Sequence, residues 1–507
     1  VLVAAPGGLL LVTVAAVVTA QAGVTQAVVL PHWWGKWPWR RPGELDGWVA
    51  GGVVLLGALC AVWAWLGLSL LRRPGTHESA GSEGERTDRS ADRSRMAGVA
   101  GLAVLWSLPL LGTGPMGSLD VQSYAAVGKL AVLGLDPYRA TPGWLADGYS
   151  SAVDPMWRWT PTPYGPVQVA LLREVVAVAG HEVGTAVLLI RGIAVLGLAA
   201  GVLLAVRVTP PADRAAVLLV TALNPVVLVH VVSGAHLDVL IGVLAVLVVA
   251  LTHSGRPATA MAVAVVACML KLPGAVLVGY VLLAVLRVPP GRTRSGTLPR
   301  VLAGGLCALG AVRALWPDPF GWVTALGVPG TARNGTAPST WVSYLVATVT
   351  DRWSGRGLSL SFTAGRTGTA VLGATVVCAL LWQATSGSRA AAFRGVGWAL
   401  VVVALTGPAL YPWYLAWGLF AVAVGSGLRG RLLLVGLSSA VCLAAAFGGG
   451  SVVVVTWIVV TVAVLGFTGW VGRALLTERP AHGVGGSSPQ LPVVDPGWAR
   501  RGQATGG

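Results

Sequence analysis

The chain has 507 residues, 55% of them hydrophobic and 11% charged, with a net charge of +16 and a mean hydropathy of +0.75. Soluble domains carry about a quarter charged residues, so this composition excludes a water-soluble globular enzyme and points to lipid as the solvent. The positive balance does not argue for nucleic acid, because most arginines fall in short segments between apolar runs, where the positive-inside rule puts them on the cytoplasmic face.

A span needs about 20 apolar residues to cross a hydrocarbon core about 30 Å thick. Backbone groups in lipid must be bonded within their own segment, so the apolar runs read as helices, and no alternating barrel pattern appears. In chain order, a first helix at 9–30 goes outward and ends at the belt "HWWGKWPWR" (His32–Arg40). Val1 reads as a GTG start taken literally, and the first run as a retained span, not a cleaved signal. A second helix returns to Arg72 and Arg73, making 1–73 an N-terminal two-helix hairpin. Residues 74–95 are polar and low in complexity, a disordered cytoplasmic linker. A catalytic module at 96–475 follows, with outer loops 117–182 and 317–366, and 476–507 reads as a disordered cytoplasmic tail.

Within the module, helices are expected at about 97–116, 183–207, 214–232, 237–252, 258–272, 273–287, 301–316, 367–385, 395–410, 412–427, 432–447 and 451–472. The fold class is an all-α polytopic membrane protein with roughly 12–14 transmembrane helices. The five cysteines, Cys60, Cys268, Cys307, Cys378 and Cys442, lie inside apolar runs with no ligand spacing and read as small lipid-facing or packing residues, not as disulfides or metal ligands.

Most acidic residues outside the linker and tail map to the outer face, which places an active site there. Residues 119–133 can form an amphipathic interfacial helix, with Asp120 and Tyr124 one turn apart. Asp120 reads either as a general base or as the helix N-cap. Tyr164 sits in the stiff loop "WRWTPTPYGPV", and a second half-length helix follows it. His236 and Asp238 lie at an outer mouth between two helices, where their spacing of two fits substrate hydrogen bonding or simple interface polarity better than a shared metal. Lys271 in "CMLKLPG" and Arg191 in "LLIRGIAV" are costly intramembrane cations, and a lipid phosphate would supply their missing anion; snorkelling is the plainer reading. Tyr411, Trp413, Tyr414 and Trp417 surround Pro412, as an aromatic belt or as a binding face for sugar or polyprenyl.

Together, "SLDVQSYAAVGKLAVLGLDPY", "WTPTPYGPV", "NPVVLVHVVSGAHLDVLIG", "KLPG" and "YPWYLAWGL" resemble, in this order, the actinobacterial polyprenol-phosphate-mannose-dependent α-1,6-mannosyltransferases of the GT-C class. The chain departs from that pattern at Leu119, Gln122 and Leu237. The resemblance implies a GT-C fold with Asp120 as catalytic base. It also implies a polyprenyl-phosphate-mannose donor, a mannan or lipomannan acceptor, and action on the outer face of the plasma membrane. The expected chemistry is single-step inverting transfer, with Lys271 and Arg191 on the donor phosphate. Tyr124, Tyr164, His236, Asp238, Tyr411 and Trp413 would contact substrate, and no metal or cofactor is expected. A lipid-linked sugar flippase or polysaccharide transporter, or a transferase of another sugar such as arabinose, is the alternative.

Overall fold

The computed structural model describes Gly8 and residues 45–71, 82–287 and 292–446, short of positions 117, 181, 331 and 332. The expected helices at 9–30 and 451–472, the linker residues 74–81 and the tail 476–507 lie outside the described residues. Among the described residues every regular element is a helix, as backbone confined to hydrocarbon requires.

Helix α1 (Leu45–Leu71) is followed by α2 (Ser82–Leu111). The start of α2 corrects the reading of 74–95 as wholly disordered. Within α2, Arg95 pairs with Asp92, one turn away, at 3.6 Å. Two 13-residue helices, α3 (Asp120–Val132) and α4 (Pro166–Val178), lie within the segment 117–182. At 1.5 Å per residue each is about 20 Å long, too short to span. Contrary to the expected amphipathic surface helix, α3 is enclosed, with Val121 to Gly128 buried without a break. It lies under α4 so closely that a Cβ on Gly128 would come within 2.4 Å of Leu172 O.

The bundle continues with α5 (Val183–Val208), α6 (Arg214–Ala222) and a π-helical turn (Val227–Ser233). Next come α7 (Val239–His253), α8 (Pro257–Leu270), α9 (Ala275–Leu286) and α10 (Arg292–Leu315). The remainder is α11 (Pro338–Val349), α12 (Gly355–Ser386), α13 (Arg389–Thr406), α14 (Ala416–Gly425) and α15 (Leu428–Ala446). Among the described residues five helices are long and apolar enough to cross a membrane, or six if α6 and the π turn, bent by 66°, form one span. The expected roughly 12–14 crossings counted each apolar run as a full span. In the structure α7, α8 and α9 are only 15, 14 and 12 residues long.

The breaks have chemical causes. Pro225 cannot donate to the α6 ladder, and the Asn224 side chain takes over, accepting from Val226 N at 2.9 Å and donating to Val220 O at 3.2 Å. Gly234 and Ala235 end the π turn; Pro273 and Pro412 follow the extended residues Lys271 and Tyr411 by one or two positions. Helix contacts are made by small residues, as expected where lipid supplies no hydrophobic drive between helices. A Cβ on Gly418 of α14 would lie 2.2 Å from Gly397 O of α13. Three of these breaks, at 234–238, 271–274 and 407–412, meet beside the start of α3.

Candidate functional site

Asp120 is the first residue of α3, and Leu119, not Asp120, is its N-cap. The carboxylate makes no capping hydrogen bond, which removes the capping explanation for this residue. Its side chain is 16% exposed and looks into a cavity of about 390 Å³. The wall carries one carboxylate, Asp120, and one ammonium, Lys271; most of the rest is aromatic, proline and aliphatic.

His236 Nε2 lies 3.8 Å from Asp120 Oδ2. The imidazole is fully buried and held on three sides. Its Nδ1 is 2.7 Å from His230 O, and a carbonyl only accepts, so Nδ1 carries a hydrogen. The ring stacks on Trp413 at 3.8 Å between centroids, and Trp413 stacks in turn on Tyr411 at 4.7 Å. The chain reaches this position through Ala235, whose φ of +59° lies in the left-handed region that L side chains avoid. That strain turns the backbone so that His236 N also bonds His230 O at 3.1 Å. Strained residues and π turns both concentrate at functional sites.

Lys271 Nζ donates to Asp238 Oδ1 at 2.8 Å, and Trp417 Nε1 donates to the same oxygen at 2.6 Å. The rings of Tyr414, Tyr164 and Trp417 surround the ammonium at 4.5, 5.2 and 5.4 Å from their centroids. Tyr164 arrives there because Gly165 lets its loop lie directly on the end of α8. Gly165 N donates to Leu270 O at 2.9 Å, and a Cβ would come within 2.1 Å of Met269 O. Tyr124 stands edge-on to Tyr164, with centroids 5.2 Å apart. Burial, then neighbouring tyrosine and carboxylate charges, push both hydroxyls well above the usual phenol range, so they remain neutral donors. Tyr411 is pushed up to about 12, chiefly by burial and then by the Asp120 charge.

The structure thus gathers Asp120, Tyr124, Tyr164, His236, Asp238, Lys271, Tyr411 and Trp413 in one place. Two sequence readings change. Asp238 is tied to Lys271 and Trp417 on one side of the site, while His236 faces Asp120 on the other. Arg191 is not on the cavity wall. Its guanidinium donates to Leu111 O (3.3 Å), Thr113 O (2.8 Å) and Ser233 O (2.7 Å), and satisfies carbonyls at the ends of α2 and the π turn. In this structure the buried Arg191 clamps three carbonyls and does not reach the cavity that Lys271 lines.

Sequence reasoning set 317–366 apart as a loop segment but singled out none of its residues for the site. Leu326, Val328 and Pro329 form part of the wall. Asn334 Oδ1 accepts from Leu410 N at 3.3 Å, and Thr336 Oγ1 donates to Leu410 O at 2.6 Å, fixing the strand of chain that leads to Tyr411. No periodicity signals such a loop-to-loop contact. Ser123, also missed, lines the cavity with a buried hydroxyl that has no partner among the described residues.

Residues 5–287 match the family described as Alpha-(1->6)-mannopyranosyltransferase, N-terminal domain, and 339–475 match the MptB C-terminal domain. The chain is 28% identical over 410 residues to Alpha-(1->6)-mannopyranosyltransferase A of Mycobacterium tuberculosis, covering 77% of this chain and 73% of that one. It is 25% identical over 404 residues to Alpha-(1->6)-mannopyranosyltransferase B of Corynebacterium glutamicum, covering 73% and 64%. No solved structure gives a significant match.

Proposed function

The chain belongs to the alpha-(1->6)-mannopyranosyltransferase family of glycosyltransferases, and from that premise we propose that it transfers mannose from a polyprenyl phosphate to an α-1,6-mannan acceptor, with Asp120 as the base. The observation that carries this reading is the Asp120 carboxylate, which has no capping role, facing a largely apolar cavity whose other charged side chain is Lys271, with the unpartnered His236 Nε2 3.8 Å away. A carboxylate held in that setting has a proton to take, and the cavity has the mixed character that a sugar on a lipid carrier needs.

With His236 Nε2 3.8 Å from Asp120 Oδ2, no hydrogen bond holds the carboxylate on that side, and an acceptor hydroxyl can donate to it at about 2.8 Å. In the proposed step, Asp120 takes the proton of the acceptor hydroxyl as its oxygen attacks the mannosyl anomeric carbon. The bond from that carbon to the phosphate oxygen breaks, and the electron pair leaves with the polyprenyl phosphate. One displacement inverts the anomeric centre. General base catalysis of this kind is worth about 10²–10⁴-fold.

Lys271 spends one of its three donors on Asp238 and lines the cavity, so it is the cation available to the departing phosphate. The Tyr164 and Tyr411 hydroxyls remain neutral and would donate to sugar oxygens. The apolar rim at Leu272, Ala275 and Val276 suits the first isoprene units of the carrier. Arginines crowd the opposite ends of the helices, which supports a site on the extracytoplasmic face of the plasma membrane.

The test is transfer of labelled mannose from polyprenyl-phosphate-mannose to α-1,6-mannobiose by the purified protein in nanodiscs. The expected product is an α-1,6-linked trisaccharide. No transfer from this donor, with transfer from another lipid-linked sugar, would contradict the reading.

A further inference from the structure

The cavity mouth continues into a surface that the transfer step leaves unused. Pro142 and Thr160 both line the cavity, and the chain between them carries three tryptophans. Trp157 lines the cavity itself, whereas Trp144 and Trp159 stand outside it, 61% and 67% exposed. Each exposed ring is within two residues of a wall residue, so the surface they form adjoins the mouth.

The loop that bears them is stiff. The Asp147 side chain accepts from Tyr149 N at 3.0 Å, and the Asp154 side chain from Met156 N at 2.9 Å. Arg158 Nη2 donates to Ser151 O at 3.2 Å and to Val153 O at 3.1 Å. Trp159 rests on Gly143 so closely that a Cβ there would come within 2.4 Å of the ring. The surroundings are aqueous in character. Asp147, 40% exposed, lies 3.9 Å from Lys129, and Arg139 and Asp136 pair nearby with 87% and 44% of their side chains exposed. Charged groups so placed fit a loop that stands in the polar region above the acyl chains.

An indole held rigid in water fits a ligand with an apolar face and a hydroxylated edge, because it offers a large amphipathic surface at little entropic cost. We propose that Trp144 and Trp159 form an outer subsite for an oligosaccharide acceptor. The sugar already polymerised stacks its C–H faces on the two indoles, while its terminal residue reaches past Trp157 to Asp120. This rests on the glycan-acceptor reading above, and gives the chain a preference for longer acceptors.

The experiment compares α-1,6-mannohexaose with α-1,6-mannobiose as acceptor for the protein in nanodiscs. In W144A/W159A the ratio of kcat/KM for the hexaose over the biose falls about tenfold, the effect of losing two aromatic contacts. In W144F/W159F, which keeps a ring at each place, most of the ratio returns. W382A, an exposed tryptophan on α12 that is 56% exposed, leaves the ratio at its wild-type value. An unchanged ratio in W144A/W159A overturns the subsite, as does an equal loss on both acceptors, the signature of a lipid-facing belt. Calorimetric binding of mannohexaose without donor separates this proposal from the activity itself. If wild type transfers to neither acceptor, the transfer reading fails, and weaker hexaose binding by W144A/W159A still supports the subsite. Equal binding by the two proteins overturns it.

Discussion

Lys271 and Asp238 form a charge pair with side chains 13% and 2% exposed. A buried pair of this kind stabilises little in itself, but removing one member leaves the other charged in a low-dielectric site, at about 3–5 kcal/mol. K271M is therefore expected to lower the melting temperature in detergent markedly, because Asp238 keeps only Trp417 as a partner. K271M/D238N should recover most of that loss while remaining inactive, since no ammonium faces the leaving phosphate. A double variant as unstable as K271M would mean that packing, not charge, is what Lys271 supplies. The residue types at this site were legible in the sequence because ionisable groups inside apolar runs are rare. Their pairing was not. Asp238 is two residues from His236, yet the break in the chain there sends one side chain to Lys271 and the other to Asp120.

At the scale of elements, the site is made by helix breaks. Met116 N donates to Ser233 Oγ at 3.1 Å, and Arg191 binds carbonyls on both segments, Leu111 and Thr113 on one side and Ser233 on the other. Asp120 is four residues beyond the first knot and His236 three beyond the second. Arg191 is thus a positioning residue for the pair. R191M should lower kcat by about tenfold or more with little change in KM, because a misplacement of about 1 Å is enough to cost that much. R191K, which keeps a donor but not the fork, should fall between. Equal KM and kcat effects in all variants would mark Arg191 as a general fold element instead. Chain pattern showed that 119–133 and the stretch after Tyr164 are short helices, since their apolar runs are too brief to span. It did not show α3 enclosed under α4, because that burial comes from a Gly128–Leu172 approach with no local signature. The runs that became α7 to α9 were bounded closely, at 237–252, 258–272 and 273–287, but each was counted as a full span, because Asp238, Lys271 and Pro273 looked like turn residues at the ends of spans.

For the whole molecule, the bundle closes by joining its first and last described helices. Cys60 of α1 and Cys442 of α15 are both buried free cysteines, and their thiols lie close enough to interact. Trp63 of the same helix donates to Leu219 O of α6 at 3.1 Å. Mild oxidation should therefore link Cys60 to Cys442. With a protease site inserted in the outer segment at 331–332, the two halves should stay joined on a denaturing gel until reduced, and C60A should abolish the link. Separation of the halves without reductant would contradict this packing of α1 on α15.

The central claim is that this packing delivers one carboxylate to a lipid-linked sugar. Its most direct test is the single-turnover rate of D120N in nanodiscs, with polyprenyl-phosphate-mannose and α-1,6-mannobiose both saturating. Asn keeps the shape of the side chain and cannot take the proton. The account predicts a fall of about 10²-fold or more with donor binding retained, the size expected for loss of a general base. A D120N protein that turns over at the wild-type rate would contradict it.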